Sequence, residues 1–413
     1  MKWCDVIIVG GGPAGLAAAA RLRKHGVDFV LLEREQEAGG MPRHCGHTGY
    51  GLGEFRRLMT GPSYARRLVE ATKDCDIRTG MTVLRLHPGG VVQATGPQGP
   101  QTFQGKVVLL ATGARETPRS ARLVTGARPA GVMNTATLQQ AIYLHGRRPV
   151  ERPVVIGSEL VAFSTLLTLR HIGVKPVAMI ESGPRIVARR PGEWAARLGF
   201  GVPVFFNTRL ERILGVDHVE GVELDRGYGA ERLDCDGVVF TGQFRPETAL
   251  LVPSHLAIDP GTRGPAVDQF WRCSDPAYFA AGNLLRGIET AGRCYREGRA
   301  AADAVLGALE NRLPPVPQEL RVQVEGELSY VYPQRLSPKG LRDGSQNVTP
   351  DGRLMFKART RSPVRGILRV LAGEREIWSK RVTALPERRI SWSVPREGLD
   401  GHQSITVRLE RIS

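Results

Sequence analysis

Apolar residues along this chain follow two patterns, and the change comes near residue 315. Over the first 310 residues they form short unbroken runs rich in Val, Ile and Leu, at 6–9, 29–32, 106–110, 153–156, 176–180, 237–240 and 278–281. Runs of this length suit strands buried on both faces of a parallel sheet. Between them lie stretches with helical spacing at 16–22, 63–72, 161–171 and 292–309, and shorter strands at 81–84 and 91–93. Strands alternating with helices predict a doubly wound α/β architecture. Beyond residue 320 apolar and polar positions alternate, at 321–325, 366–370, 390–394 and 405–409. That period suits half-buried antiparallel strands and predicts a small sandwich-like domain over 320–413. Dense prolines at 314–317 cannot continue a helix and mark a stiff linker, placed over 311–319.

Chemistry enters where the runs end. The first opens into Gly10-Gly11-Gly12-Pro13-Ala14-Gly15 and a helix, and the second ends on Glu33. A G-x-G-x-x-G turn between strand and helix, with an acid about 20 residues on, is the full context of a dinucleotide-binding fingerprint. Gly10 makes the tight turn, Gly12 lets the backbone approach a pyrophosphate, and Gly15 lets helix and strand pack closely. The helix N-terminus faces the phosphate charge, and Glu33 is placed to accept hydrogen bonds from ribose hydroxyls. A second unit begins alike but reads Gly157-Ser158-Glu159-Leu160-Val161-Ala162. Glu159 stands where the backbone should approach pyrophosphate, and it adds a side chain and a negative charge. Like charges at that range cost kcal/mol unless one is neutralised. Glu181 at the end of the next run suits a nucleotide ribose. Residues 116–237 are therefore expected to keep a dinucleotide-type fold with weakened or lost NAD(P) binding. A rearranged loop around Glu159 is the alternative that keeps it.

With 413 residues, 41% hydrophobic and 24% charged, the chain has the composition of an ordinary globular protein and room for two or three domains. Its 57 Lys and Arg against 41 Asp and Glu leave a net charge of +16, a balance that fits anionic partners. The basic residues are spread along the chain, in pairs such as Arg147-Arg148 and Arg189-Arg190, with no RNA-binding motif or aromatic stacking pattern. A generally basic surface is expected, with a phosphate site and a small-molecule substrate, and nucleic acid is not. Cys4, Cys45, Cys75, Cys235, Cys273 and Cys294 form no C-x-x-C pair, so neither a metal site nor a local redox disulfide is expected. No run approaches the ~20 apolar residues of a membrane span. The apolar run after Lys2 lacks a cleavage site, so no signal peptide is expected and cytoplasmic residence is the default.

Three motifs in order now resemble the two-dinucleotide-binding-domain flavoproteins, the pyridine nucleotide-disulfide oxidoreductase superfamily. They are the glycine turn with Glu33, the Ala111-Thr112-Gly113 strand end, and Phe279-Ala280-Ala281-Gly282-Asn283. The resemblance covers residues 4–310 and implies two nested Rossmann-like domains before the all-β C-terminal domain. FAD would bind over 1–115 plus 238–310, and the NAD(P)-binding-like domain would be 116–237. Carried over residue by residue, it implies FAD contacts from Gly10, Gly12, Pro13, Ala14, Gly15, Glu33, Arg34, Gly40, Met41, Val83, Ala111, Thr112, Gly113, Gly282, Asn283 and Thr290. Asn283 stands where the family commonly has Asp, and Asn can still hydrogen-bond a ribityl hydroxyl. The segments 39–51, 115–118 and 128–132, with the Glu289-Thr290-Ala291-Gly292 turn, look closer to one subgroup. It is related to the flavin subunits of opine oxidases, hydrogen cyanide synthase and dye-linked amino-acid dehydrogenases, which work in multi-subunit assemblies.

Disulfide reductases of the superfamily carry two cysteines just after the first flavin segment, whereas this chain has only Cys45 there. A dithiol relay is therefore not expected. Cys45 lies between His44 and His47, where an imidazolium would lower a thiol pKa and His47 could move a proton. The alternative is a loop that only packs on the flavin. Arg43, Arg115 and Arg286 are candidates to pair a substrate carboxylate. The resemblance implies an FAD-dependent dehydrogenase or oxidase subunit oxidising a small organic substrate such as an amino or hydroxy acid. Electrons would pass to a partner subunit or external acceptor. An NAD(P)H-dependent flavoprotein reductase and a non-catalytic flavin-binding scaffold are the alternatives.

Overall fold

Seven strands carry the first of two units in the computed structural model of this chain, which describes all residues except 189–194, 315–319, 337–348, 350–351, 396–398, 400–401 and 413. That unit comprises 1–40, 67–114 and 246–413; the second comprises 41–66 and 115–245. The Arg189-Arg190 pair and residues 315–319 of the expected linker lie outside the described residues.

In the first unit, Lys2–Val9 lies between Phe29–Leu32 and Gly99–Leu110, parallel to both, and Tyr278–Ala280 runs parallel beside the end of Gly99–Leu110. The runs at 6–9 and 29–32 are wholly buried, as unbroken apolar strands require. Val9 pairs with both Leu32 and Leu110, and Leu110 with Ala280, so four strands end on one level. Crevices outside such carboxyl ends are where open α/β sheets bind ligands. Thr82–His87 and Val91–Gly96 extend the sheet as an antiparallel meander. Helix Pro13–Arg23 packs on helix Ala291–Leu309 so closely that a Cβ on Gly298 would overlap the Ala14 carbonyl oxygen.

Residues 320–413 contribute two sheets to this unit. One holds Leu320–Gly326, Arg335–Leu336, Val364–Ala372, Arg375–Ala384 and Ser404–Arg411; the other holds Leu328–Tyr332, Leu354–Thr360 and Ile390–Val394. Their facing sides bury Leu328, Phe356, Leu368, Trp392, Val407 and Leu409. One pairing departs from the expected antiparallel pattern, because Leu320–Gly326 lies parallel to Ser404–Arg411. Alternation reports which face of a strand is buried, not the direction of its neighbour. A parallel pair needs a long crossover, and the intervening strands supply it.

The second unit has a parallel sheet ordered Val132–Asn134, Gly237–Phe240, Pro153–Ile156, Ala178–Ile180, Val204–Phe205. Helix Leu160–His171 follows the third of these, and a four-stranded sheet of Thr125–Gly126, Arg209–Leu214, Gly221–Asp225 and Ala230–Asp234 completes the unit. Asn134, Phe240, Ile156, Ile180 and Phe205 are mutually registered at the strand ends.

Candidate functional site

The first glycine turn is a cradle with one open side. Gly10 has φ +106°, and a Cβ there would stand 2.5 Å from the Ala111 carbonyl oxygen. A Cβ on Gly15 would overlap the Gly10 carbonyl oxygen. By contrast, the nearest atom to a Cβ on Gly12 is the Gly40 Cα at 4.0 Å. Gly12 is the N-cap of helix Pro13–Arg23, which has no side-chain cap and no acid in its first turn. Its terminal N–H groups and dipole are therefore available to an external anion. Glu33 is buried; its Oε2 accepts from Gly11 N at 2.6 Å and its Oε1 from Glu35 N at 2.9 Å. A Cβ on Gly40 would come within 2.8 Å of Gly12 Cα, so the loop after Glu33 closes over the turn.

Other expected contacts fall around this cradle unevenly. Ala111 and Val83 are buried, Thr112 donates to the Glu247 carbonyl at 3.1 Å, and Gly113 O accepts from Glu247 N at 2.9 Å. Gly282 stands beside Ala14, where an added Cβ would be 3.0 Å from the Ala14 Cβ. Thr290 is the exposed N-cap of helix Ala291–Leu309 and makes no side-chain cap. The Asn283 amide bonds the backbone of Glu289 twice, accepting from its N at 2.6 Å and donating to its O at 3.2 Å. One amide hydrogen and one oxygen lone pair remain for a ligand. Arg34 is exposed, and Met41 is 42% exposed and belongs to the second unit.

Around the 283–289 loop the sequence reading missed a buried ionic cluster. Arg286 is 2% exposed, and its Nη2 donates to Glu297 Oε1 at 2.8 Å, so that part of the guanidinium expected to pair a substrate carboxylate is taken by an internal one. Glu289 accepts from Arg293 at 2.8 Å and from Arg389 at 3.0 Å. Burial works to raise the Glu289 pKa, but Arg286, Arg293 and Arg389 outweigh it and hold the group below the ordinary carboxylate range. Lys357 lies 3.8 Å from Glu297, and burial, aided by Arg286, lowers its pKa to about 8. No local spacing could announce Lys357, on strand Leu354–Thr360, or Arg389, just before strand Ile390–Val394, which reach this loop from far along the chain.

The second cradle carries a carboxylate where the first has Gly12. Gly157, with φ +115°, makes the turn that Gly10 makes in the first. The Glu159 carboxylate folds back onto the strand ends: its Oε2 accepts from Thr241 Oγ1 at 2.8 Å and would lie 2.7 Å from a Cβ on Gly157. A Cβ on Gly242 would overlap Glu159 Oε1. Arg122 seals the same edge, donating to the Thr241 and Gly242 carbonyls at 2.9 and 3.0 Å. Glu181 accepts from the Ser158 hydroxyl and from Gly183 N at 2.7 Å. Burial pushes the Glu159 pKa up; Thr241 and Arg122 oppose it, and Glu181 adds to it.

Cys45 and His47, expected together, have different surroundings. Cys45 is buried and donates to Gln139 Oε1 at 3.3 Å, and Gln139 donates to Ser164 at 2.8 Å. Burial pushes the thiol up to about 11, the reverse of the lowering expected from flanking histidines. Sequence neighbours on a turn need not face one another, and burial decides. His47 instead bonds the Thr48 carbonyl at 2.8 Å, with its ring centroid 5.6 Å from that of Tyr50. At pH 8 such a thiol is about 0.1% ionised, and the thiolate is the reactive form. Iodoacetamide should label Cys45 at least about 100-fold more slowly than a free cysteine, read by peptide mass spectrometry; labelling at the free rate would refute this burial. Arg115 is exposed and Arg43 half-buried. Glu116, also missed, is 4% exposed and accepts from Ala136 N at 2.9 Å; burial raises it to about 7. Among the described residues no group of His, Cys, Asp and Glu could hold a metal ion, and no helix is long and apolar enough to cross a membrane.

A family model described as pyridine nucleotide-disulphide oxidoreductase matches residues 4–298. The chain is 26% identical over 339 residues to a soluble pyridine nucleotide transhydrogenase of Hahella chejuensis, covering 73% of this chain and 70% of that one. It is 27% identical over 367 residues to the alpha subunit of sarcosine oxidase from Rhizobium meliloti, covering 82% and 34%. An opine oxidase subunit of Agrobacterium tumefaciens is 26% identical over 339 residues, with 74% and 66% covered. The chain thus spans about a third of the sarcosine oxidase relative and just under two thirds of the opine oxidase one. Among solved structures, T. acidophilum thioredoxin reductase matches with a TM-score of 0.63 at 22% identity, covering 75% of this chain and 100% of that one. That likeness speaks to the fold.

Proposed function

The chain belongs to the pyridine nucleotide-disulphide oxidoreductase family, an FAD-binding family, and on that premise we propose that it is an FAD-dependent dehydrogenase or oxidase subunit. Its donor is a small organic molecule such as an amino or hydroxy acid, and its acceptor is a partner subunit or an external oxidant. The contrast between the two cradles carries this reading. Gly12 leaves open space at an uncapped helix N-terminus. The second unit instead puts a carboxylate at the equivalent position, the equally uncapped start of helix Leu160–His171, where Glu159 lies against Thr241, Gly157 and Gly242. Residues 1–115 with 238–310 form the FAD-binding part in this reading, and 116–237 the closed NAD(P)-type part.

FAD, when bound, supplies the hydride acceptor. The chain's own groups hold it. The Gly10–Gly15 turn and helix N-terminus take the diphosphate, Glu33 the adenosine ribose, and Asn283 with Gly282 the ribityl chain. Cys45, protonated and bonded to Gln139, does not relay electrons as half of a dithiol. The names of the opine and sarcosine oxidase relatives, each a subunit, support a partner for this chain. The transhydrogenase relative supports the second reading, an NAD(P)H-dependent reductase.

An anaerobic absorbance titration of the FAD-loaded protein separates the two. NADH and NADPH are expected to leave the ~450 nm flavin band intact, while one or more members of an amino-acid and hydroxy-acid panel bleach it. Rapid bleaching by either nucleotide would make the chain a reductase.

A further inference from the structure

The buried ionic cluster lies along 286–297, next to the Gly282 turn that Ala14 of the first cradle touches. Three contacts from the first cradle set the direction. Gly11 backs onto Glu33, whose carboxylate suits the adenosine ribose. On the other side, Ala14 touches the Gly282 turn, and Gly298 of the Ala291–Leu309 helix. A dinucleotide with its diphosphate at Gly12 and its adenosine at Glu33 extends its other half along 282–291. That stretch is the 283–289 loop, clasped by the Asn283 amide, followed by the helix N-terminus.

Five cations meet two carboxylates there. Arg286 and Lys357 share Glu297, which also accepts from Gly282 N at 3.2 Å. Arg293, Arg389 and, at 3.7 Å, Arg286 share Glu289, and Arg359 donates to the Ile288 carbonyl at 2.9 Å. The Arg286 guanidinium lies 4.3 Å from the centroid of Tyr332; its Nε is 3.7 Å from Glu289 Oε1, and neither Nε nor Nη1 has a hydrogen-bond acceptor among the described residues. A buried guanidinium with Nη1 unmet and Nε held only at ion-pair range, amid surplus positive charge, is an unfinished electrostatic site. A negative charge would complete it.

We propose that Lys357, from strand Leu354–Thr360, and Arg389, from the loop before strand Ile390–Val394, act with Arg286 as positioning residues that stabilise negative charge on the pyrimidine edge of reduced FAD. The inference rests on the FAD reading above. Hydride transfer moves two electrons and one proton from the donor to flavin N5. The added charge spreads to the N1–C2=O edge, and the oxidised donor releases its remaining proton to water. Surplus cations beside that edge favour the reduced flavin over the oxidised one. The C-terminal strands then belong to the flavin site, beyond any packing role.

The test uses full-length, FAD-loaded Lys357→Met and Arg389→Met variants, with Lys357→Arg and Arg389→Lys as charge-keeping controls. Two readouts need no turnover: the two-electron midpoint potential, and the affinity for sulfite, which adds to N5 and leaves the same negative edge. Each neutral variant is expected to bind sulfite about tenfold more weakly. A tenfold loss for the reduced flavin corresponds to about 30 mV for a two-electron couple. The controls should stay within about threefold. Unchanged potential and sulfite affinity in neutral variants that retain FAD would overturn the proposal.

Should both neutral variants lose FAD, the wild-type protein decides. Lys357 is faced by Arg286, Arg389, Glu289, Glu297 and Tyr332. As it gives up its proton, sulfite affinity, corrected for sulfite's own ionisation, should fall about tenfold between about pH 7 and pH 9. A flat profile would overturn the proposal. Wild-type protein that binds no FAD would instead refute the underlying reading, so the two failures are distinguishable.

Discussion

Gly12→Ala is expected to fold as the wild type does and to lose its FAD, whereas Gly15→Val is expected to lose both FAD and stability. The two glycines sit three residues apart, and their surroundings differ. A Cβ on Gly15 overlaps the Gly10 carbonyl oxygen, so valine must push the helix off the strand. Overpacking of this kind costs about 1–3 kcal/mol. At Gly12 the nearest atom to a new Cβ is 4.0 Å away and the backbone φ is −82°, which alanine adopts freely. An N-cap glycine yields to alanine at a cost near 1 kcal/mol or less. The added methyl instead occupies the face open to the diphosphate. Affinity for FAD should drop by about 100-fold or more, near 3 kcal/mol. Flavin-to-protein absorbance ratios and thermal melts of the stripped proteins measure both effects. Stoichiometric FAD in Gly12→Ala would mean that the open face is not the diphosphate site.

Much of this distinction is legible in the chain, because the fingerprint assigns each glycine a separate task. The buried runs at 6–9 and 29–32 could scarcely be anything but central strands, and Glu33 marks the end of the second. Legibility ends where sequence-distant groups meet. Glu159 stands out as a substitution, yet its partners Thr241 and Gly242 lie some eighty residues on, at the end of a neighbouring strand. The Lys357–Glu297 and Arg389–Glu289 pairs join a C-terminal strand and loop to residues 289–297, and alternation reveals only that those strands have two faces. Cys45 misled in the opposite way. Its flanking histidines suggested an activated thiol, while the unseen burial against Gln139 decides its protonation. Local pattern thus encodes strands, turns and cradles. The electrostatics of a buried group depends on which distant residue shares its space.

Glu159→Gly is expected to open the second cradle and to give the chain an affinity for NADH that the wild type lacks. The frame it would uncover is sound. Gly157 turns as Gly10 does, and five strand ends stay in register around it. Glu181 is held by Ser158, the counterpart of Gly11, much as Glu33 is held by Gly11 itself. Ala162, fully buried, stands at the position of Gly15 and needs no change. The group expected to exclude the nucleotide is a carboxylate bonded to Thr241 within reach of Gly157 and Gly242. Two unit charges 4 Å apart repel by about 4 kcal/mol at an effective dielectric near 20, roughly a thousandfold in affinity. Burial opposes the charge on Glu159, so part of any exclusion is expected to be steric. Glu159→Gln separates the contributions: it keeps the volume and removes the charge. If bulk dominates, Gln stays closed and Gly alone binds; if charge dominates, Gln recovers part of the affinity. NADH fluorescence titration of the three proteins reads the result. Micromolar binding by the wild type, or none by Glu159→Gly, would show that Glu159 is not the lock, and hydride donors would have to be sorted by another feature of the fold.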